Sequence, residues 1–318
     1  NTMAKLSNPH AGSLQFWPRK RAAKSIPSVN WSVVKGKDKV SGMLGFIAYK
    51  AAMATALVKD TTEHSLSKGK KIYIPVTVLE VPHIKVFSVR FYKNGIVLKE
   101  VIVSNDKELK KLLRLPKELK PFESQIPQGY DDIRIIVYSL AKQTAIKKTP
   151  DLAEVGIKAD NKLEFVKTLL NKEIALKDFL QYDLLDIRGL TTGRGLSGPV
   201  KRFGITLKQH KTEKGVRRPG SLAPWHPARV TFRTPQAGQL GMFTRVHYNL
   251  KVISSGNSTE KDINPGTGFK HYGKIKSDYL FIKGSVQGPV KRQMLLTPSF
   301  RPTKLTAKRK YEFQELIV

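Results

Sequence analysis

Between Arg188 and Lys251 the chain carries thirteen Lys and Arg residues against a single acid, Glu213. Glycine and proline recur through the whole run, from DIRGLTTGRGLSGPVKRFG through HKTEKGVRRPGSLAPWHPARV to TPQAGQLGMFTRVHYNLKV. They interrupt it too often for a long helix, and its like charges oppose compaction. A stretch of this kind needs an anion as part of its structure, and a phosphate backbone is the obvious candidate.

The rest of the composition agrees. Net charge is +32 and the pI is about 10.2, the footprint of a nucleic-acid binder. The charge is uneven. From Asp60 to Glu173 there are 21 Lys+Arg and 15 Asp+Glu, a net of +6, whereas Lys291 to Lys310 has seven basic residues and no acid. With 318 residues and 40% apolar content the chain can build a genuine core. It has no cysteine, which excludes disulfides, thiol nucleophiles and Cys-based zinc sites and is compatible with a reducing cytoplasm. The N-terminal segment shows no apolar h-region of a secretory signal. The most apolar run, Gly42–Val58, is short for a membrane span and contains Lys50, so it reads as a buried strand followed by a turn.

Residues 1–40 show neither helical nor strand period, and place Trp17 and Trp31 among basic clusters. They read either as a loosely ordered tail or as an arm that threads RNA, stacking its aromatic rings on bases. Strands are expected at Met43–Tyr49, Lys71–Val81, Ile84–Tyr92 and Ile96–Val103, the last two joined by the turn Lys93-Asn94-Gly95. Asp106 caps an expected helix over Lys107–Leu115. Further strands are expected at Ile133–Leu140, Tyr182–Ile187, Val246–Ser254 and Tyr279–Lys283, and a helix at Leu163–Leu170. The layout is a β-rich core with an α+β insertion and three basic excursions.

Gly193-Arg194-Gly195-Leu196-Ser197-Gly198 matches the dinucleotide pattern G-x-G-x-x-G. That motif must open a helix within a βαβ unit. Here Pro199 follows at once and Lys201–Lys214 has no amphipathic stripe, so the glycines read better as backbone that RNA can approach closely. There is no P-loop. None of the histidines (His10, His64, His83, His210, His226, His247, His271) forms a metal-ligand pair at helical spacing. Trp225, in a Pro-flanked basic loop with His226, is either an anchor of a small satellite core or a ring offered to bases; the charge around it favours the base.

Several segments occur together in one order: Ser197–Gly204 (SGPVKRFG), Arg217–Ser221 (RRPGS), Trp225–Val230 (WHPARV) and Gly238–Gly241 (GQLG). With Gly12-Ser13-Leu14, Pro18-Arg19-Lys20-Arg21, Leu44–Lys50 (LGFIAYK) and Ile282–Pro289 (IKGSVQGP), they resemble the universal large-subunit ribosomal protein three family, in its archaeal and eukaryotic form. Ala52-Met53-Ala54 departs from that family's Gly-Met-Thr. The resemblance covers nearly the whole chain.

It implies a mainly β fold: a six-stranded β-barrel of the translation-protein type with an inserted α+β subdomain. The implied layout is a basic N-terminal arm (1–40), barrel core (41–83 and 181–290), insertion (84–180), an rRNA-penetrating Gly/Pro-rich extension (188–251) and a basic C-terminal tail (291–318). It implies a cytoplasmic, non-enzymatic constituent of the large ribosomal subunit, with no cofactor; structural magnesium would belong to the rRNA. Its partners would be large-subunit rRNA and neighbouring ribosomal proteins, and indirectly tRNA and elongation factors, with no membrane. Phosphates would be neutralised by Arg19, Lys20 and Arg21 of the arm, by Arg188, Arg194, Lys201, Arg202, Arg217 and Arg218, by His226, Arg229, Arg233 and Arg245, and by Lys291 and Arg292. Gly193, Gly195, Gly198 and Gly238 would allow close backbone approach, and Trp225 would stack near the peptidyl transferase centre. The rival from another class is an rRNA-modifying or RNA-cleaving enzyme with a basic substrate groove. A free-standing module for single strands or DNA is the third reading.

Overall fold

The computed structural model describes residues 16–34, 41–144 and 146–318. Gly12-Ser13-Leu14 and His10 lie outside them. Two compact units result: residues 16–23 with Leu190–Thr244, and Lys24–Gly189 with Arg245–Val318.

The first half of the chain forms β1 (Gly42–Met43), β2 (Phe46–Asp60), β3 (Lys71–Val81), β4 (Ile84–Lys93), β5 (Ile96–Ile102), β6 (Asp132–Ser139) and β7 (Leu152–Lys158). Next come α1 (Lys162–Leu169), α2 (Leu176–Phe179) and β8 (Leu184–Leu190), then β9 (Leu196–Ser197), α3 (Pro199–Phe203) and β10 (Gly238–Gln239). The chain continues with β11 (Thr244–Asn257), β12 (Asp278–Lys283), β13 (Gln293–Pro298), α4 (Lys304–Lys308) and β14 (Tyr311–Ile317). The protein is mainly β.

In the larger unit, seven strands pair in the order β13-β8-β11-β12-β3-β2-β14, and β13 also pairs with β2. The ladder therefore returns to its start after six strands, with β14 attached outside the ring. The second sheet has the order β1-β7-β6-β4-β5. One apolar cluster runs through both, joining Phe46, Ile47 and Leu280 to Ile135, Val155 and Phe179. Asn94 and Gly95, at φ +50° and +77°, make the β4–β5 turn that the sequence announces.

Four expectations change. Gly42–Val58 contains no turn; β2 runs for fifteen residues, and the register against β3 shifts between Lys50 and Ala52. A bulge bends a strand locally. This strand uses Phe46–Tyr49 to pair with β13 and Thr55–Asp60 to pair with β14. The helix expected over Lys107–Leu115 shrinks to a 3-10 turn at Leu109–Lys111. Asp106 makes no side-chain cap there, because its carboxylate accepts the Tyr138 hydroxyl instead. The C-terminal stretch is not an appendage of the sheet, since β13 and β14 are two of its strands. Trp31 is no part of a threading arm: it is buried, and a Cβ added at Gly45 or Gly156 would meet its atoms at 2.8 and 3.0 Å. Those two glycines make room for the indole.

Buried polar groups hold loops onto the sheets. Glu80 is fully buried; its carboxylate accepts the Tyr272 hydroxyl, the backbone N–H of Lys276 at 2.8 Å and the Ser277 hydroxyl at 3.1 Å. Lys50 donates to the carbonyls of Val286 at 2.6 Å and Gly288 at 3.0 Å, and burial pulls its ammonium below the ordinary lysine pKa.

Candidate nucleic-acid interface

The smaller unit contains little regular structure, because glycine and proline end each element soon after it starts. β9 and β10 pair over two residues each, Gly238 opposite Ser197 and Gln239 opposite Leu196. Flanking bonds extend this pairing: Arg194 N–H donates to Leu240 O, and Leu240 N–H to Gly195 O. Pro199 opens the five-residue α3, and Gly204 closes it in the left-handed region at φ +67°. So the glycine motif does lead into a helix, but β9 pairs antiparallel and no βαβ unit is formed.

The root of this unit is tied by Arg202. Its guanidinium donates to Gln239 O at 2.9 Å, Gln236 O at 3.0 Å and Arg19 O at 3.2 Å, while Arg19 donates to Arg202 O at 2.6 Å. Burial, and then the Arg19 charge, lower the Arg202 pKa from its ordinary value. Around this tie lies an aromatic group. Trp17 stacks on Phe203 with centroids 5.8 Å apart and meets Phe232 edge-on at 5.6 Å, and the Arg19 guanidinium sits 4.2 Å from the Phe203 centroid.

The expected site residues separate by placement. Lys20, Arg21, Arg194, Lys201, Arg217, Arg218, Trp225, His226, Arg229 and Arg233 are exposed. No ion pair among the described residues involves Arg194, Lys201, Arg217, Arg218, Arg229 or Arg233; the multiple pairs, such as Arg90 with Glu100 and Glu154, lie in the larger unit. Trp225 is 87% exposed, touching its neighbour His226 only edge-on. Arg19 and Arg202 are half-buried and spend their guanidinium groups on backbone carbonyls. Arg188, Arg245, Lys291 and Arg292 belong to the larger unit, Lys291 exposed and the others half-buried. The Nε of Arg188 is buried without a hydrogen-bond partner among the described residues, and burial lowers the Arg292 pKa.

The four glycines also divide. Gly195 and Gly198 have open space where a Cβ would stand. Gly193 and Gly238 instead face protein: a Cβ would meet Met242 at 2.9 Å and the Arg202 guanidinium at 3.0 Å, respectively. Their close approach is to side chains of the same unit. Sequence reasoning missed this packing, and it passed over Phe203 and Phe232 as individual residues. The signal present was aromatic residues directly beside arginine, in Arg202-Phe203 and Phe232-Arg233.

A mainly β protein whose exposed loop unit sets many cations against one acid, Glu213, has the charge pattern of the class of proteins that suit a polyanionic partner. The family described as Ribosomal protein L3 matches residues 2–101 and 99–316, and the chain belongs to that family. Among curated relatives it is similar to proteins named Large ribosomal subunit protein uL3. That of Methanococcus vannielii is 38% identical, covering 94% of this chain and 93% of its own length. Those of Methanococcoides burtonii and Methanocaldococcus jannaschii are 36% and 35% identical, with at least 92% of both chains covered. These relatives are named as proteins of the large ribosomal subunit.

Proposed function

We propose that this chain is a structural constituent of the large ribosomal subunit in the cytoplasm, and that it binds large-subunit rRNA as an early step of assembly. The observation that carries the reading is the smaller unit's surface, where six cations stand exposed with no carboxylate partner among the described residues. Folded RNA supplies closely spaced phosphates that such a surface lacks. Gly195 and Gly198 leave backbone accessible beside Arg194, and Trp225 offers an open indole face to a base. The 188–251 extension would reach toward the peptidyl transferase centre and the elongation-factor site, bearing indirectly on tRNA, while the larger unit contacts neighbouring ribosomal proteins. Peptide transfer itself would remain the work of RNA. The cyclic pairing of β2, β3, β12, β11, β8 and β13 supports reading the larger unit as the six-stranded translation-protein barrel, with the β4–β7 sheet and α1 as its insertion.

The test is binding of the full chain to a large-subunit rRNA transcript across salt. With six to ten phosphates neutralised, affinity should fall by ~10³–10⁵ between 50 and 200 mM salt. Co-sedimentation with large subunits in high salt is expected as well. A flat salt dependence, or sedimentation apart from the subunit, would overturn the reading.

A further inference from the structure

We propose that Phe232 is a nucleobase-stacking site, separate from Trp225, that takes an unpaired base of the rRNA; this rests on the rRNA-binding reading above. Thr234 N–H donates to Thr231 O at 3.1 Å, so Phe232 and Arg233 occupy the two corners of a hydrogen-bonded turn. The Thr234 hydroxyl donates to Leu222 O at 2.8 Å and ties that turn to the opposite limb of the loop. Corners of such turns favour proline, glycine and small polar residues. A phenylalanine there gains nothing from the turn and exposes its ring, and Phe232 is 66% exposed.

The ring is nevertheless held. Trp17 meets it at 77° with centroids 5.6 Å apart, an edge contact that fixes its position while most of its surface stays open. Arg233 lies beside it, its guanidinium carbon 5.6 Å from the ring centroid. A ring braced from one side, open on the rest and flanked by a cation is a stacking platform for a base whose phosphate the arginine meets. An apolar protein surface would cover the ring equally well, but would strand the charge of Arg233 without a counter-ion. RNA satisfies both the ring and the charge. Because every base has a π-face, the site would carry little sequence preference.

The test compares full-length Phe232→Ala, Phe232→Leu and Phe232→Tyr with the wild-type chain, on the same rRNA transcript and across salt. Ala and Leu should both weaken binding by roughly 5- to 100-fold with the salt slope unchanged, and Tyr should bind like wild type. Leucine retains apolar bulk against Trp17, so a Leu variant that binds like wild type would make Phe232 a buttress for the indole and overturn the proposal. Unaltered affinity of the Ala variant would overturn it equally. A wild-type chain that fails to bind the transcript refutes the rRNA-binding reading itself, a result distinct from either.

Discussion

Arg19 and Arg202 each donate a guanidinium hydrogen bond to the other's backbone carbonyl, at 2.6 and 3.2 Å. Two like charges tolerate this proximity because carbonyl oxygens, not carboxylates, take up their donors, and because Phe203 lies 4.2 Å from the Arg19 guanidinium carbon. Arg202 also holds Gln236 and Gln239, so a side chain expected to clamp phosphate organises the unit that would present the other clamps. Lysine cannot replace it, since a single ammonium lacks the planar fork that reaches three carbonyls. Arg202→Lys is expected to cost the local fold about 2 kcal/mol. Hydrogen exchange should then accelerate roughly 30-fold at the Arg194 and Leu240 amides, which form the adjoining pairing.

Trp31 and Gly156 form a second matched pair. The indole is 5% exposed, and a Cβ at Gly156 would lie 3.0 Å from its Cβ and 3.1 Å from its ring, with Gly45 hemming in the far end. Trp31→Ala should cost ~3–5 kcal/mol through lost burial and cavity formation. Gly156→Ala should destabilise by ~1–3 kcal/mol through overpacking. Urea unfolding of the two variants checks both. A neutral Trp31→Ala would return residue 31 to the arm.

Asp60 closes the β2–β3 loop. Its carboxylate accepts the hydroxyls of Ser67 at 2.5 Å and Ser65 at 2.9 Å, and the Thr62 N–H at 2.9 Å. The bonds from Ser67 and Thr62 hold its pKa well below the usual carboxylate range, against the opposing effect of burial. A depressed folded-state pKa contributes stability that is complete above the unfolded value of about 4 and is lost as pH falls below it. Asp60→Asn should therefore cost about 1–2 kcal/mol at pH 7. The gap between variant and wild type should narrow on going to pH 3, as urea midpoints at the two pH values would reveal.

The strands were legible because β-branched runs and the Asn94-Gly95 turn are local signals, and β3 falls at the expected residues, Lys71–Val81. What was not legible depended on partners distant in sequence. Asp106 has the chemistry of a helix cap, yet Tyr138, thirty-two residues away, takes its carboxylate. Trp31 sits among cations in sequence, yet Gly45 and Gly156 build its pocket. In the basic unit, charge pointed to the class of ligand from the thirteen cations alone. It could not separate Arg202, turned onto carbonyls, from Arg217 and Arg218, which stand exposed.

That separation sets the final expectation, for Trp225 and its neighbouring arginines. Trp225 is 87% exposed and contacts His226 only edge-on, so truncating it removes almost no packing. Trp225→Ala should shift stability by less than about 0.5 kcal/mol, whereas a core tryptophan would cost several. On the rRNA transcript the same change should weaken binding by ~1–3 kcal/mol at constant salt slope, because stacking releases no counter-ions. Arg217→Ala or Arg218→Ala should do the reverse, reducing the slope by about 1 per residue neutralised. Thermal melts beside salt-resolved binding of these variants measure the two effects independently. A marked loss of thermal stability in Trp225→Ala would make the indole a packing residue rather than a ring presented to RNA.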